Sequence, residues 1–160
     1  KLPLDVLSNL LWAGFGINRP QSGGRTAPAA MEWQDIQIYV ATADGVYLYE
    51  GRNHALTLLS AQDIRAQTGL EPFSADAPVN LIYVADHTRM VEATEEERIL
   101  YSAAGVGFLS QNVCLFCASE GLATVVRGQV ARSALAKLMR LRPSQRIILA
   151  QSGGYALRTA

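Results

Sequence analysis

Leu4, Leu7, Leu10, Leu11 and Ala13 recur at helical spacing between Pro3 and Phe15. The chain therefore opens with an amphipathic helix, with Pro3 suited to its first turn and Gly16 placed to end it. The pattern then changes to alternation: Ile36 to Ala41 and Val46 to Glu50 mix β-branched and aromatic residues with polar ones, and Asp44-Gly45 between them is a hairpin signal. A third strand is predicted near Ala55 to Leu59. Ser60 is expected to cap a short helix over Ala61 to Thr68, closed by Gly69 in a left-handed conformation. Val79 to Ala85 is a short apolar run and the best candidate for a central strand.

Thr94-Glu95-Glu96-Glu97 is a capping-box pattern that places carboxylates at the positive end of a helix, and no proline follows before Ser119. The predicted helix is roughly 25 residues and about 37 Å long. From Ala103 to Ala118 it is apolar or small nearly all round, the pattern of a helix enclosed by protein on every side, which in so short a chain points to a partner subunit. Leu122 to Val126 reads as a strand, Ser133 to Leu141 as a helix, and Gln145 to Ala150 as a last strand before Gly153-Gly154. Strands and helices mix without strict alternation, which favours an α+β fold over a doubly wound sheet. The stretch from Asn18 to Ala30, rich in Pro, Gly, Ser and Arg, breaks every period and is expected to be a ligand-binding loop.

Composition narrows this picture. With 160 residues and no internal repeat or linker, one domain over 1–160 is expected. Hydrophobic residues make up 49% and charged residues 18%, which excludes a disordered chain. Fourteen basic residues balance fourteen acidic ones, so no net field draws in nucleic acid or an anionic membrane surface. No apolar run approaches the roughly 20 residues of a spanning helix, so a soluble protein is expected. The sequence begins at Lys1 without an initiator methionine or a signal pattern; a cytoplasmic location is the expectation, with export left open.

Side chains offer no reactive constellation. Cys114 and Cys117 lie in an apolar run with no second pair or histidine to complete a zinc site, and read as core thiols. His54 and His87 fall in turn regions and read as surface residues. Glu95, Glu96 and Glu97 point in different directions at a helix start, which suits capping rather than acid–base chemistry. There is no P-loop, and Gly14-Phe15-Gly16 follows a helix rather than a strand. No metal site and no catalytic side chain is assigned, so an enzyme of this composition would borrow its reactivity from a cofactor.

Four stretches together resemble the flavin-dependent nitroreductase family in its short bacterial branch. They are Leu7 to Pro20 followed by Arg25-Thr26-Ala27-Pro28; Trp33-Gln34-Asp35-Ile36; Ser110 to Val113 continuing through Ala118 to Gly128; and Leu149 to Tyr155. The resemblance implies a mostly antiparallel sheet flanked by helices, with a long buried central helix at the interface of an obligate homodimer that holds two FMN molecules between its subunits. It also implies an NAD(P)H oxidoreductase working by a ping-pong scheme, with NADH or NADPH as donor and a nitro or quinone-like small molecule as acceptor. The alternative is a flavin-poor homodimer that keeps the scaffold without the chemistry.

The family's Pro-Ser-x-x-Asn flavin loop falls here on Pro28, Ala29, Ala30, Met31 and Glu32. Ala29 lacks the hydroxyl of the family serine. Glu32 replaces an amide with a group that only accepts when ionised; it either takes the proton of the ring N3 or turns to solvent. The other subunit's contribution is implied at Val125, Val126, Arg127 and Gly128, where Gly128 lets backbone approach the ring. Arg127 either stands beside the flavin or pairs with an acidic residue. The family's upstream Arg-x-Ser-x-x-Arg arm, which contacts the phosphate, lies outside this sequence. Arg25 and Arg158 are the candidate replacements, or simply exposed charges.

Overall fold

A computed structural model describes residues 1–156. Helix α1 (Leu4–Phe15) buries Leu7, Leu10, Leu11 and Phe15 along one stripe, and Gly16 ends it by donating its N–H to the Trp12 carbonyl. The segment expected to be a loop instead begins with a small ribbon, β1 (Ile17–Arg19) paired with β2 (Gly24–Arg25). The tight return between them uses Gly23 at φ 72°.

Strands β3 (Ile36–Thr42), β4 (Gly45–Glu50) and β5 (Ala55–Ser60) form the expected meander. Gly45 is required at its turn, because its φ is 140° and a Cβ there would overlap the Ser60 carbonyl. The helix expected over Ala61 to Thr68 does not form. Ser60 belongs to β5, opposite Val46, and only a single 3-10 turn follows at Arg65–Gln67. The Asp63 carboxylate accepts from the Arg65 N–H at 3.0 Å and from its guanidinium at 2.8 Å, which anchors that turn locally in place of a longer helix. Gly69 is not left-handed. It is there because Arg127 passes where its Cβ would be.

A short helix that the pattern did not announce, α2 (Phe73–Asp76), leads into β6 (Val79–Asp86), whose eight residues are all buried. Helix α3 (Glu95–Ser119) follows, then β7 (Leu122–Arg127), α4 (Arg132–Leu138) and β8 (Gln145–Tyr155). The main sheet has the order β5-β4-β3-β6-β8-β7, every pair antiparallel. Helix α4 ends earlier than its pattern suggested, and Arg140 beyond it takes φ 53°. Strand β8 runs on through Gly153 and Gly154 because both lie in the ladder, opposite Val79 and Ala123. The pyrrolidine ring of Pro78 occupies the space a Cβ at 154 would need.

The central strand shows why the sheet is covered on two faces. Leu81, Tyr83 and Ala85 join the core beneath α1 and α3, while Ile82 and Val84 join the core that includes Leu135 of α4. The fold is thus α+β, with an antiparallel sheet flanked by helices.

The capping box at the start of α3 is complete: Glu97 N–H donates to Thr94 Oγ1 at 3.2 Å, and Thr94 N–H donates to the Glu97 carboxylate at 2.8 Å. The expected enclosure of α3 is not met within one chain. Ser102, Val106, Leu109, Ser110, Val113 and Cys117 are buried, whereas Ile99, Leu100, Tyr101, Phe108 and Leu115 are exposed. Contrary to the expectation from runs of residues, α3 is also long and apolar enough to cross a membrane by length and composition. Its inner face nonetheless packs on α1, β7 and β8.

Candidate functional site

Pro28, Ala29 and Ala30 form one wall of a cavity of about 370 Å³, and Tyr101, Gly105 and Phe108 of α3 form the facing wall. The floor is Phe15 and Ile36, so the slot is mainly apolar, with Gln34 and Asp35 as its polar edge. Trp33 meets Tyr101 edge to face at 5.9 Å. Asp35 is buried and accepts from Ser102 at 2.8 Å, which ties the loop to α3. Met31, Glu32 and Gln34 all have positive φ, 47°, 56° and 45°, a costly backbone for residues other than glycine. The segment is pinned where Gln34 accepts from Arg25 at 3.1 Å through its side chain and from Arg89 at 3.1 Å through its carbonyl. The result turns Glu32 outward: it is exposed and does not line the slot.

The slot's α3 wall was not among the residues singled out from sequence. A signal was present, since Tyr101, Ala104, Gly105 and Phe108 follow i, i+3, i+4, i+7 on one face. Gly107 adds to it: a Cβ there would meet nothing within 4 Å. Glycine in a helix costs about 1 kcal/mol relative to alanine, and the chain's own packing does not require it here.

Val125 to Gly128 lie elsewhere. Val125 lines a second cavity of about 370 Å³ with Phe73, Pro78, Thr124, Gly153 and Tyr155. Val125, Val126 and Gly128 are exposed along the outer strand of the sheet, but Arg127 turns inward and is only 3% exposed. Its guanidinium donates to the Thr68 carbonyl at 2.9 Å, to Thr68 Oγ1 at 3.2 Å and to Asn80 Oδ1 at 2.9 Å, with a Glu71 carboxylate oxygen 3.7 Å away. Burial lowers its pKa and Glu71 opposes that shift. Arg127 therefore serves as a buried tie between β7, β6 and the 65–71 segment.

Arg25 stacks on the Phe15 ring at 4.3 Å and donates to the Phe15 carbonyl at 2.8 Å. It faces a neighbouring cavity rather than the slot, with Phe15, Gln34 and Ile36 between the two. Arg158 lies outside the described residues. Cys114 is half-buried and Cys117 buried, both free, as core thiols would be.

His54 is exposed, bonded to Tyr49 at 2.9 Å and Ser8 at 2.7 Å. His87 corrects the surface reading: it is half-buried and its Nε2 has no partner. Burial lowers its pKa below 6.5. The unfolded chain then takes up this proton first, so His87 contributes stability at neutral pH that is lost as pH falls below about 6.5. The expected outcome is a fall in melting temperature between pH 7 and 5.5 that is shallower in His87→Asn. Equal slopes by thermal denaturation would assign the effect to other groups.

A family model described as the nitroreductase family matches residues 1–155. The crystal structure of a candidate nitroreductase from Ralstonia eutropha JMP134 is 44% identical, covers 99% of this chain and 75% of its own, and superposes with a TM-score of 0.94. A candidate nitroreductase of Methanocaldococcus jannaschii is 28% identical over 151 residues, spanning 88% of this chain and 76% of that protein. The fold is shared with an NADPH:FMN oxidoreductase from Vibrio harveyi complexed with NAD⁺, at 19% identity and a TM-score of 0.70, covering 96% of this chain and 60% of that one. An antiparallel sheet flanked by helices, one of them long, is the nitroreductase-like fold. The chain belongs to the nitroreductase family.

Proposed function

We propose that this chain forms a homodimer through α3 and acts as an FMN-dependent NAD(P)H oxidoreductase toward a small nitro or quinone-like acceptor. The observation that carries this reading is the apolar outer face of α3. It is left exposed, while the two stretches expected to meet a flavin line separate cavities, Pro28 to Ala30 in one and Val125 in the other. A second copy supplies the missing cover and places one chain's loop against the other's outer strand. The fold shared with the Vibrio harveyi NADPH:FMN oxidoreductase supports both the flavin and the nicotinamide donor.

The residues present fit an isoalloxazine ring: the slot is walled by Pro28, Ala29, Ala30 and Gly105, and Phe15, Ile36 and Phe108 give it an apolar lining. When bound, FMN supplies two-electron transfer between NAD(P)H and the acceptor. The chain's own part is position and electrostatics. Pro28 to Ala30 would offer backbone groups to the ring from the wall of the slot, and Gly128 would let the outer strand approach it without a Cβ. The Gln34 amide, whose oxygen is held by Arg25, keeps its nitrogen free to donate to the pyrimidine edge. No residue is assigned to proton transfer.

The test is optical. The purified protein should be yellow, or turn yellow with added FMN, and bleach on addition of NADH or NADPH under anaerobic conditions; a colourless dimer that ignores FMN would support the scaffold alternative instead. The loop carries a finer expectation. Ala29→Ser restores a donor inside the slot and should tighten FMN binding about fivefold, whereas Glu32→Asn, which faces solvent, should leave the dissociation constant unchanged. The opposite ranking by flavin fluorescence titration would mean the loop turns over when the site forms.

A further inference from the structure

Beside the slot lies a second concavity with a different chemistry. Three guanidiniums converge on it from separate parts of the chain: Arg25 at the end of β2, Arg52 in the turn after β4, and Arg89 after β6. The cavity is about 370 Å³, and the Gln37 side chain lines it as well. Of its lining residues only Glu50 is acidic, and that carboxylate already accepts from Thr57 and from Asn53. Among the described residues no carboxylate lies within ion-pair distance of Arg25, Arg52 or Arg89.

This arrangement is unfavourable as it stands. Arg25 is half-buried, and both Arg52 and Arg89 act on it as like charges. Its Nε and Nη1 are engaged by Gln34 and Phe15, which hold the guanidinium in place. Arg89 spends one nitrogen on the Gln34 carbonyl, and Arg52 and Arg89 are otherwise exposed. Converging cations of this kind are offset by an anion that takes several charge-assisted hydrogen bonds at once. A tetrahedral dianion meets that need better than a carboxylate, because it presents oxygens in three directions to three donors. The wall shared with the slot, formed by Phe15, Gln34 and Ile36, places this anion next to the proposed redox site.

We propose that Arg25, Arg52 and Arg89 form a binding site for a phosphomonoester dianion. NADPH carries such a group on its adenosine ribose and NADH does not; FMN carries one and riboflavin does not; inorganic phosphate presents the same oxygens alone. The site thereby gives the chain a means of distinguishing phosphorylated from unphosphorylated ligands. The choice among donors rests on the oxidoreductase reading, while the binding of inorganic phosphate does not.

The experiment compares the full chain with the Arg52→Gln variant, whose side chain is exposed and makes no hydrogen bond among the described residues, and leaves Arg25 and Arg89 in place because both hold Gln34 of the loop. Inorganic phosphate should raise the melting temperature of the unsubstituted protein above that in chloride of equal ionic strength, and should do so far less in the variant. If NADPH is the source of the phosphate, the ratio of kcat/KM for NADPH to that for NADH falls about tenfold in the variant. If FMN is the source, its dissociation constant rises about tenfold while that of riboflavin does not. Phosphate protection with neither change identifies a free-phosphate site and sustains the proposal. Equal behaviour of protein and variant toward phosphate, NADPH and FMN overturns it. A protein that never takes up flavin but is protected by phosphate in an arginine-dependent way would refute the oxidoreductase reading and leave this site standing.

Discussion

Replacing Arg127 with methionine is expected to destabilise the fold by about 3–5 kcal/mol, the usual cost of breaking a buried charged network by removing one partner. Three acceptor contacts disappear at once: the Thr68 carbonyl, Thr68 Oγ1 and Asn80 Oδ1. Glu71 loses its cation, and the space that glycine at position 69 keeps open becomes a void. Lysine should rescue little, since one ammonium cannot reproduce the fork that reaches Thr68 and Asn80 together. Glu71→Gln should cost far less, because its carboxylate stands 3.7 Å away and is partly solvated. The measurement is the urea midpoint of the three variants. If Arg127→Met and Glu71→Gln shift it equally, the ion pair rather than the hydrogen-bonded fork holds the strand. Because Arg127 also fixes where Gly128 leaves the sheet, a folded Arg127→Lys protein should bind FMN more weakly than the unsubstituted chain.

Introducing two charges on the outer face of α3, Leu100→Glu with Leu115→Glu, should convert the proposed dimer of twice 17.3 kDa to a monomer of 17.3 kDa in light scattering. Both side chains are exposed in the single chain and line neither of the two half-site cavities, so folding should be spared. Burying an unpaired carboxylate at a subunit contact costs several kcal/mol per group, enough to dissociate an ordinary homodimer. The monomer should be colourless, since each half-site then lacks its counterpart. A variant that stays dimeric would move the interface away from α3, and a yellow monomer would show that one chain holds the flavin by itself.

Much of the fold was legible in sequence because its signals are local. The capping box at Thr94 and Glu97, the hairpin at Asp44-Gly45 and the stripe of α1 each need only a few neighbours, and each stands where the pattern put it. Errors fell where a side chain answers to something distant. Ser60 has the chemistry of a helix cap but is taken by the pairing of β5 with β4. Gly69 has the chemistry of a left-handed terminus but makes room for Arg127. Gly153 and Gly154 look like a strand end, yet β7 and β6 pair with them from either side.

The proposed site divides in the same way. Pro28 to Ala30 were found by resemblance, and they do line a slot; its facing wall of Tyr101, Gly105 and Phe108 is written in helical spacing that has meaning only once a loop packs against it. Glu32 and Arg127 each had two readings in sequence, toward a ligand or away from it. In the single chain three left-handed residues leave Glu32 exposed, and a buried acceptor set holds Arg127 inside the fold.

By itself, then, the sequence determined the order and type of most elements, the family, and the excess of apolar surface on α3, because periodicity and short motifs report on neighbours within a turn or a hairpin. Only the tertiary structure decided that the two stretches proposed to bind flavin lie in separate cavities of one chain, that Arg127 is a tie within the fold, and that Arg25, Arg52 and Arg89 meet. Convergence of residues far apart along the chain depends on strand register and on which face of the sheet each side chain takes, and a one-residue change in register reverses that face.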